Sequence, residues 1–109
     1  MSITTTPARC VVVTGATGGI GQGIVESFLA TGDTVIAVDA VAEALSALRS
    51  NLGTDTDQLR TIEGDVTDPA SWTQIATETV TSGAKEIILV NNAGISPKRD
   101  GERIPGVEV

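Results

Sequence analysis

Residues Val11–Gly21 read VVVTGATGGIG, which places four glycines within seven residues directly behind a run of valines. The spacing is Thr14-Gly15-x-x-x-Gly19-x-Gly21, and its chemistry is that of an anion cradle. Gly15 can adopt the backbone angles needed to turn off a strand. The missing side chain at Gly19 lets a pyrophosphate approach the main chain, and Gly21 allows the next helix to pack tightly against the sheet. That helix then points its unpaired N–H groups and its partial positive charge at the anion, each contact being worth about 0.3–1 kcal/mol. Loops of this kind also arise for packing alone, or in methyltransferase-type nucleotide folds, and the loop by itself leaves those alternatives open. A P-loop is excluded, because no Gly-Lys-Ser/Thr follows and the only lysines are Lys85 and Lys98.

Asp39 adds a second chemical element. It ends the apolar run TVIAVD, eighteen residues beyond Gly21. A carboxylate at that point accepts hydrogen bonds from the adenosine ribose hydroxyls of a dinucleotide and repels a 2′-phosphate. At about 4 Å and an effective dielectric near 20, one unit-charge pair costs roughly 4 kcal/mol. No lysine or arginine lies in the glycine loop or just after Asp39 to offset that repulsion, so NAD is expected over NADP. The competing role for Asp39 is to cap the next helix.

The chain contains no tyrosine and no histidine. Acting alone, it therefore lacks an imidazole base and a phenolic proton donor. With one cysteine, Cys10, it has neither an internal disulfide nor a cysteine metal cluster, and a reducing cytoplasm is the expected location.

These residues need a scaffold, and the pattern supplies one. Arg9–Gly15 is a continuous apolar run of strand length, indicating burial on both faces. Ile20, Ile24, Val25, Phe28 and Leu29 then recur at helical spacing before Gly32. Thr34–Asp39 predicts a second strand, and Leu45, Leu48 and Leu52 mark a second helix closed by Gly53. Thr54–Gln58 reads as a polar surface connection. Leu59–Val66 is a third strand running into a loop. Asp68 with Pro69 predicts an N-cap and first helical position, opening a helix with Trp72, Ile75, Ala76 and Val80 inward and Gly83 at its end. Glu86–Gly94 is a fourth apolar strand and its exit.

Alternating strands and helices imply an α/β fold with a parallel sheet. A doubly wound order 3-2-1-4 puts the first two helices on one face and the third on the other. Ligands bind where that order reverses, beside both glycine-bearing loops. The 109 residues fit one domain, with residues 1–8 expected to be a flexible N-terminus and 95–109 a surface loop. Seven basic against fourteen acidic residues give a net charge of −7, which argues against nucleic acid and anionic membranes as partners. No apolar run has the length of a membrane span or a signal peptide.

The motifs TGATGGIG and NNAG (Asn91–Gly94), with GDVTDPASW (Gly64–Trp72) between them, resemble those of the short-chain dehydrogenase/reductase family. The glycine loop also fits the extended branch of that family through Gly15, Gly18 and Gly21; NNAG matches the shorter branch. The resemblance runs from about Arg9 to the end of the chain. It implies a Rossmann-type fold and a cofactor site in which Gly15, Thr17, Gly18, Gly19, Ile20 and Gly21 surround the pyrophosphate and the neighbouring ribose. By the same resemblance, Asp39 holds the adenosine ribose, Asp65 accepts from the adenine amino group, and Val66 lines the ring pocket. Asn92, Ala93 and Gly94 pass beside the riboses, while Asn91 fastens the strand. In the family the catalytic serine, tyrosine, lysine and helix asparagine all follow the NNAG motif. None is assigned here, and the sheet is expected to be a partial one with strand 4 at its edge. The family further implies an alcohol or ketone substrate and a homo-oligomer for the completed protein. The alternative is a non-catalytic dinucleotide-binding module acting through a partner.

Overall fold

A computed structural model describes residues 9–53 and 58–92, together with the backbone of 98–99 and 102–103. Four strands, β1 (Arg9–Thr14), β2 (Thr34–Asp39), β3 (Leu59–Glu63) and β4 (Glu86–Asn91), form one parallel sheet in the order β3-β2-β1-β4. Three helices connect them: α1 (Gly19–Ala30), α2 (Ala42–Leu52) and α3 (Pro69–Ser82). The doubly wound order expected from the sequence is the one observed.

The central strands are buried because both of their faces are covered. On one face Val11, Val13, Val35 and Ala37 pack with Val25 of α1 and with Leu45 and Leu48 of α2; Ile24, Phe28 and Leu29 support them. On the other, Cys10, Val12, Ile36, Val38 and Ile62 pack against Ile75 and Trp72 of α3. Burial of the Cys10 side chain pushes its thiol pKa up.

Register decides where the strands end. Thr14 lies opposite both Val38 and Asn91, and Asp39 lies opposite Glu63. The chain therefore leaves β1, β2, β3 and β4 at one common rim. At the opposite rim, Arg9 grips the buried Asp33 through Nε (3.0 Å) and Nη2 (2.7 Å), Thr31 donates its hydroxyl to Asp33 at 2.6 Å, and the guanidinium lies over the Phe28 ring.

Two expectations for the helices need correction. Ile20 is 75% exposed rather than on the buried face of α1. On α3, Ala76 and Val80 point outward, Val80 being 78% exposed, and the inward positions are Ser71, Ile75, Thr79 and Ser82. Small polar residues can face the sheet there because Thr79 and Ser82 donate to carbonyls of their own helix, Ala76 O at 2.7 Å and Thr79 O at 2.6 Å. The ends of α3 are as expected: the Asp68 side chain accepts from the Ala70 amide, Pro69 follows, and Gly83 closes the helix.

β4 occupies the edge of the sheet, and Ile87 and Leu89 on the α3 side are each about half exposed, at 52% and 53%. Within the segment expected to be loop, β5 (Lys98–Arg99) pairs antiparallel with β6 (Glu102–Arg103), apart from the main sheet. The expected flexible terminus 1–8, most of the connection 54–58 and the remainder of 93–109 lie outside the described residues.

Candidate functional site

The glycine loop turns where β1 ends. Gly15 sits at φ 63°, the left-handed region that a side chain resists. Its carbonyl oxygen is a meeting point: the Gly18 amide donates to it at 3.3 Å, and the Asn92 side-chain amide donates to it at 3.1 Å. A β-carbon on Gly21 would fall onto that same oxygen and within 2.9 Å of Ala16 Cα. The close approach that requires glycine at 21 is thus to the loop leaving β1, rather than to the sheet in general. A β-carbon on Gly19 would meet nothing within 4 Å, so open space adjoins the main chain there.

The three helix starts differ. α3 has its Asp68 cap and α2 carries Glu43 in its first turn, whereas α1 begins after Gly18 with no side-chain cap and no acidic residue. Its first N–H groups and partial positive charge are left for an anion. A diphosphate fits this arrangement.

Beside the loop, an open cleft of about 140 Å³ is lined by Gly15, Val38, Asp39, Ala40, Gly64, Asp65 and Val66. Four residues singled out from the sequence, Gly15, Asp39, Asp65 and Val66, meet in it. The Asp39 carboxylate accepts from the Thr17 hydroxyl (2.7 Å), the Thr17 amide (3.2 Å), the Ala40 amide (2.8 Å) and the Val41 amide (3.4 Å). Partial burial works to raise its pKa, and these four hydrogen bonds outweigh it, leaving Asp39 below the ordinary carboxylate range. The N-cap of α2 is Val41, so Asp39 stands before the helix and is not its cap residue.

Asp65 is exposed, and its Oδ1 accepts from the Thr67 hydroxyl (2.7 Å) and amide (2.8 Å), which lower its pKa. Two residues of α3 hold this loop, and pattern reasoning gave neither that role. Ser71 Oγ accepts from the Asp65 amide at 3.0 Å, and a β-carbon on Gly64 would come within 2.8 Å of that hydroxyl oxygen. Trp72 Nε1 donates to the Val66 carbonyl at 2.7 Å, fixing the residue that walls the cleft.

At the end of β4, Asn91 accepts from the Thr14 hydroxyl at 3.1 Å, the strand-fastening role expected of it. Asn92 reaches the Gly15 carbonyl, as above. Ile20 and Gly18 are exposed at the start of α1. Ala93 and Gly94 lie outside the described residues. Among the described residues no helix is long and apolar enough to cross a membrane.

Known proteins resemble this chain in sequence and in fold. The family profile described as short chain dehydrogenase matches residues 9–106. The chain is 38% identical over 91 residues to an uncharacterised short-chain type dehydrogenase/reductase of Sinorhizobium fredii, covering 84% of this chain and 16% of that one. It is 37% identical over 96 residues to D-threitol dehydrogenase of Mycolicibacterium smegmatis, covering 88% and 37%. The N-domain of a bacterial malonyl-CoA reductase, solved with NADP, superposes with a TM-score of 0.70 at 35% identity, covering 83% of this chain and 17% of that one. The chain thus spans between 16% and 37% of the lengths of these two curated relatives. The family binds NAD(P) and is one of oxidoreductases. With the strand order, the glycine loop and the matched profile in agreement, the chain belongs to the short-chain dehydrogenase/reductase family.

Proposed function

We propose that this chain is the NAD-binding portion of a short-chain oxidoreductase acting between an alcohol and a ketone. The observation that carries the proposal is a cleft at the strand ends that gathers Gly15, Asp39, Asp65 and Val66 beside the uncapped start of α1. In this reading the backbone from Gly18 to Gly21 holds the diphosphate. Asp39 accepts from the adenosine ribose, Asp65 and Val66 receive the adenine, and Asn92, Ala93 and Gly94 border the riboses. The bound nicotinamide supplies or accepts the hydride.

The preference for NAD rests on Asp39. Its carboxylate stays ionised at neutral pH, and Ala40, Val41 and Ala42 follow it with no cation to receive a 2′-phosphate. The test is a fluorescence titration of the intact protein with NADH and with NADPH. NADH is expected to bind at least about tenfold more tightly, a difference of roughly 1.4 kcal/mol, and Asp39→Asn is expected to narrow the gap. Equal or tighter NADPH binding by the wild type would overturn the preference.

A second reading, a dinucleotide-binding module without chemistry of its own, draws on the absence of tyrosine and histidine from the chain. Nucleotide binding without turnover by the intact protein, across a panel of alcohols and ketones, would favour it.

A further inference from the structure

Asp39 is held by two unlike sets of donors. Oδ1 accepts from the amides of Ala40 and Val41, its immediate neighbours in the chain. Oδ2 takes both of its recorded donors from one residue 22 positions earlier, the hydroxyl and the amide of Thr17 in the glycine loop. The Val41 contact, at 3.4 Å, is the longest of the four, so the carboxylate keeps capacity for a further donor. The neighbouring amides anchor one oxygen wherever the backbone goes. The direction of the second oxygen, and with it the centre of the negative charge, is set by Thr17.

We propose that Thr17 is a positioning residue for dinucleotide selection, clamping the Asp39 carboxylate from the glycine loop so that it faces the ribose 2′-position. The inference rests on the ribose role given to Asp39 above. A carboxylate free to swing away would lose its hydrogen bonds to the ribose diol. It would also lose much of its repulsion of a 2′-phosphate, because that repulsion falls with distance. Both effects act in the same direction on selectivity. The clamp also joins the two halves of the site: the loop that cradles the diphosphate is the loop that aims the ribose acceptor. The Thr17 amide, turned to Asp39, is thereby withdrawn from the phosphate, which is left to the N–H groups at the start of α1.

The test compares Thr17→Val, which keeps the shape and removes the hydroxyl donor, with Thr17→Ser, which keeps the donor and removes the methyl; Thr17→Ala serves if valine disturbs the loop. Each intact variant is titrated with NADH and NADPH, and the Asp39 carboxyl carbon is followed through its pH titration by NMR. Thr17→Val is expected to weaken NADH binding about tenfold, to strengthen NADPH binding, and to move the Asp39 titration upward. Thr17→Ser is expected to retain wild-type values. Wild-type selectivity in Thr17→Val, or a Thr17→Ser variant as impaired as Thr17→Val, overturns the clamp. If the wild type shows no NADH preference, or Asp39→Asn leaves that preference intact, the ribose assignment falls and takes the clamp with it. An intact Asp39 effect with an inert Thr17 removes the clamp alone.

Discussion

The Asn92 side-chain amide donates to the Gly15 carbonyl across 77 positions of sequence, tying the end of β4 to the loop that leaves β1. That bond closes the rim on which the candidate site is built. Asn92→Ala is expected to lower stability by about 1 kcal/mol. Asn92→Asp is expected to cost more, since a carboxylate replaces the donor and faces a carbonyl oxygen. Urea unfolding of the three proteins checks the order; an aspartate variant as stable as wild type would show that the bond contributes nothing.

Gly19 and Gly21 are two positions apart and are expected to fail in different ways. Alanine at 21 collides with the Gly15 carbonyl and the Ala16 backbone, so it should destabilise the fold by about 1–3 kcal/mol. Alanine at 19 meets open space, so stability should stay within about 0.5 kcal/mol of wild type. NADH affinity should nevertheless fall at least about tenfold in Gly19→Ala, because the added methyl occupies the approach to the main chain. Thermal unfolding and NADH titration, run side by side, separate the two effects.

Asp33, Asp39 and Asp65 all sit below the ordinary carboxylate range. For Asp33 the leading cause is the hydrogen bond from Arg9, opposed by burial and reinforced by Thr31. A depressed folded-state pKa means that the unfolded chain binds more protons between the two values. The stabilisation is therefore complete above the unfolded value of about 3.9 and is lost as pH falls through the folded values. Urea midpoints should be level from about pH 7 to 5 and then decline. Asp33→Asn should reduce the steepness of that decline, and an unchanged slope would contradict the role given to the Arg9 pair.

Val80 on α3 and Ile87 and Leu89 on the edge strand β4 are exposed apolar side chains. Unpaired edges with apolar faces favour association between copies. The 109-residue chain studied alone should show concentration-dependent sedimentation, reduced by Ile87→Lys together with Val80→Thr. A wild-type chain that sediments as a monomer at all concentrations would contradict this.

Strand runs, helix spacing and the strand order could be read from the sequence because burial of valine and isoleucine on both faces leaves a local trace. The glycine loop, Asp39 and the Asp68-Pro69 helix start were equally local. What escaped depends on individual polar contacts between elements and loops, some near in sequence and some far. Thr17 with Asp39, Ser71 with Asp65, Trp72 with Val66 and Asn92 with Gly15 leave no periodic mark. On α3 the apolar pattern misled, since the hydroxyl residues Thr79 and Ser82 satisfy themselves within the helix and turn inward while Val80 stays outside.

Cys10 lies at the middle of this arrangement with none of its surface open to water. The chain holds one cysteine thiol, and that atom becomes available when α3 lifts from the sheet or the strands separate. The speed of labelling therefore clocks the opening of this layer, with no added dye or tag. Any compound that seats itself at the rim must slow that clock in proportion to how firmly it is held.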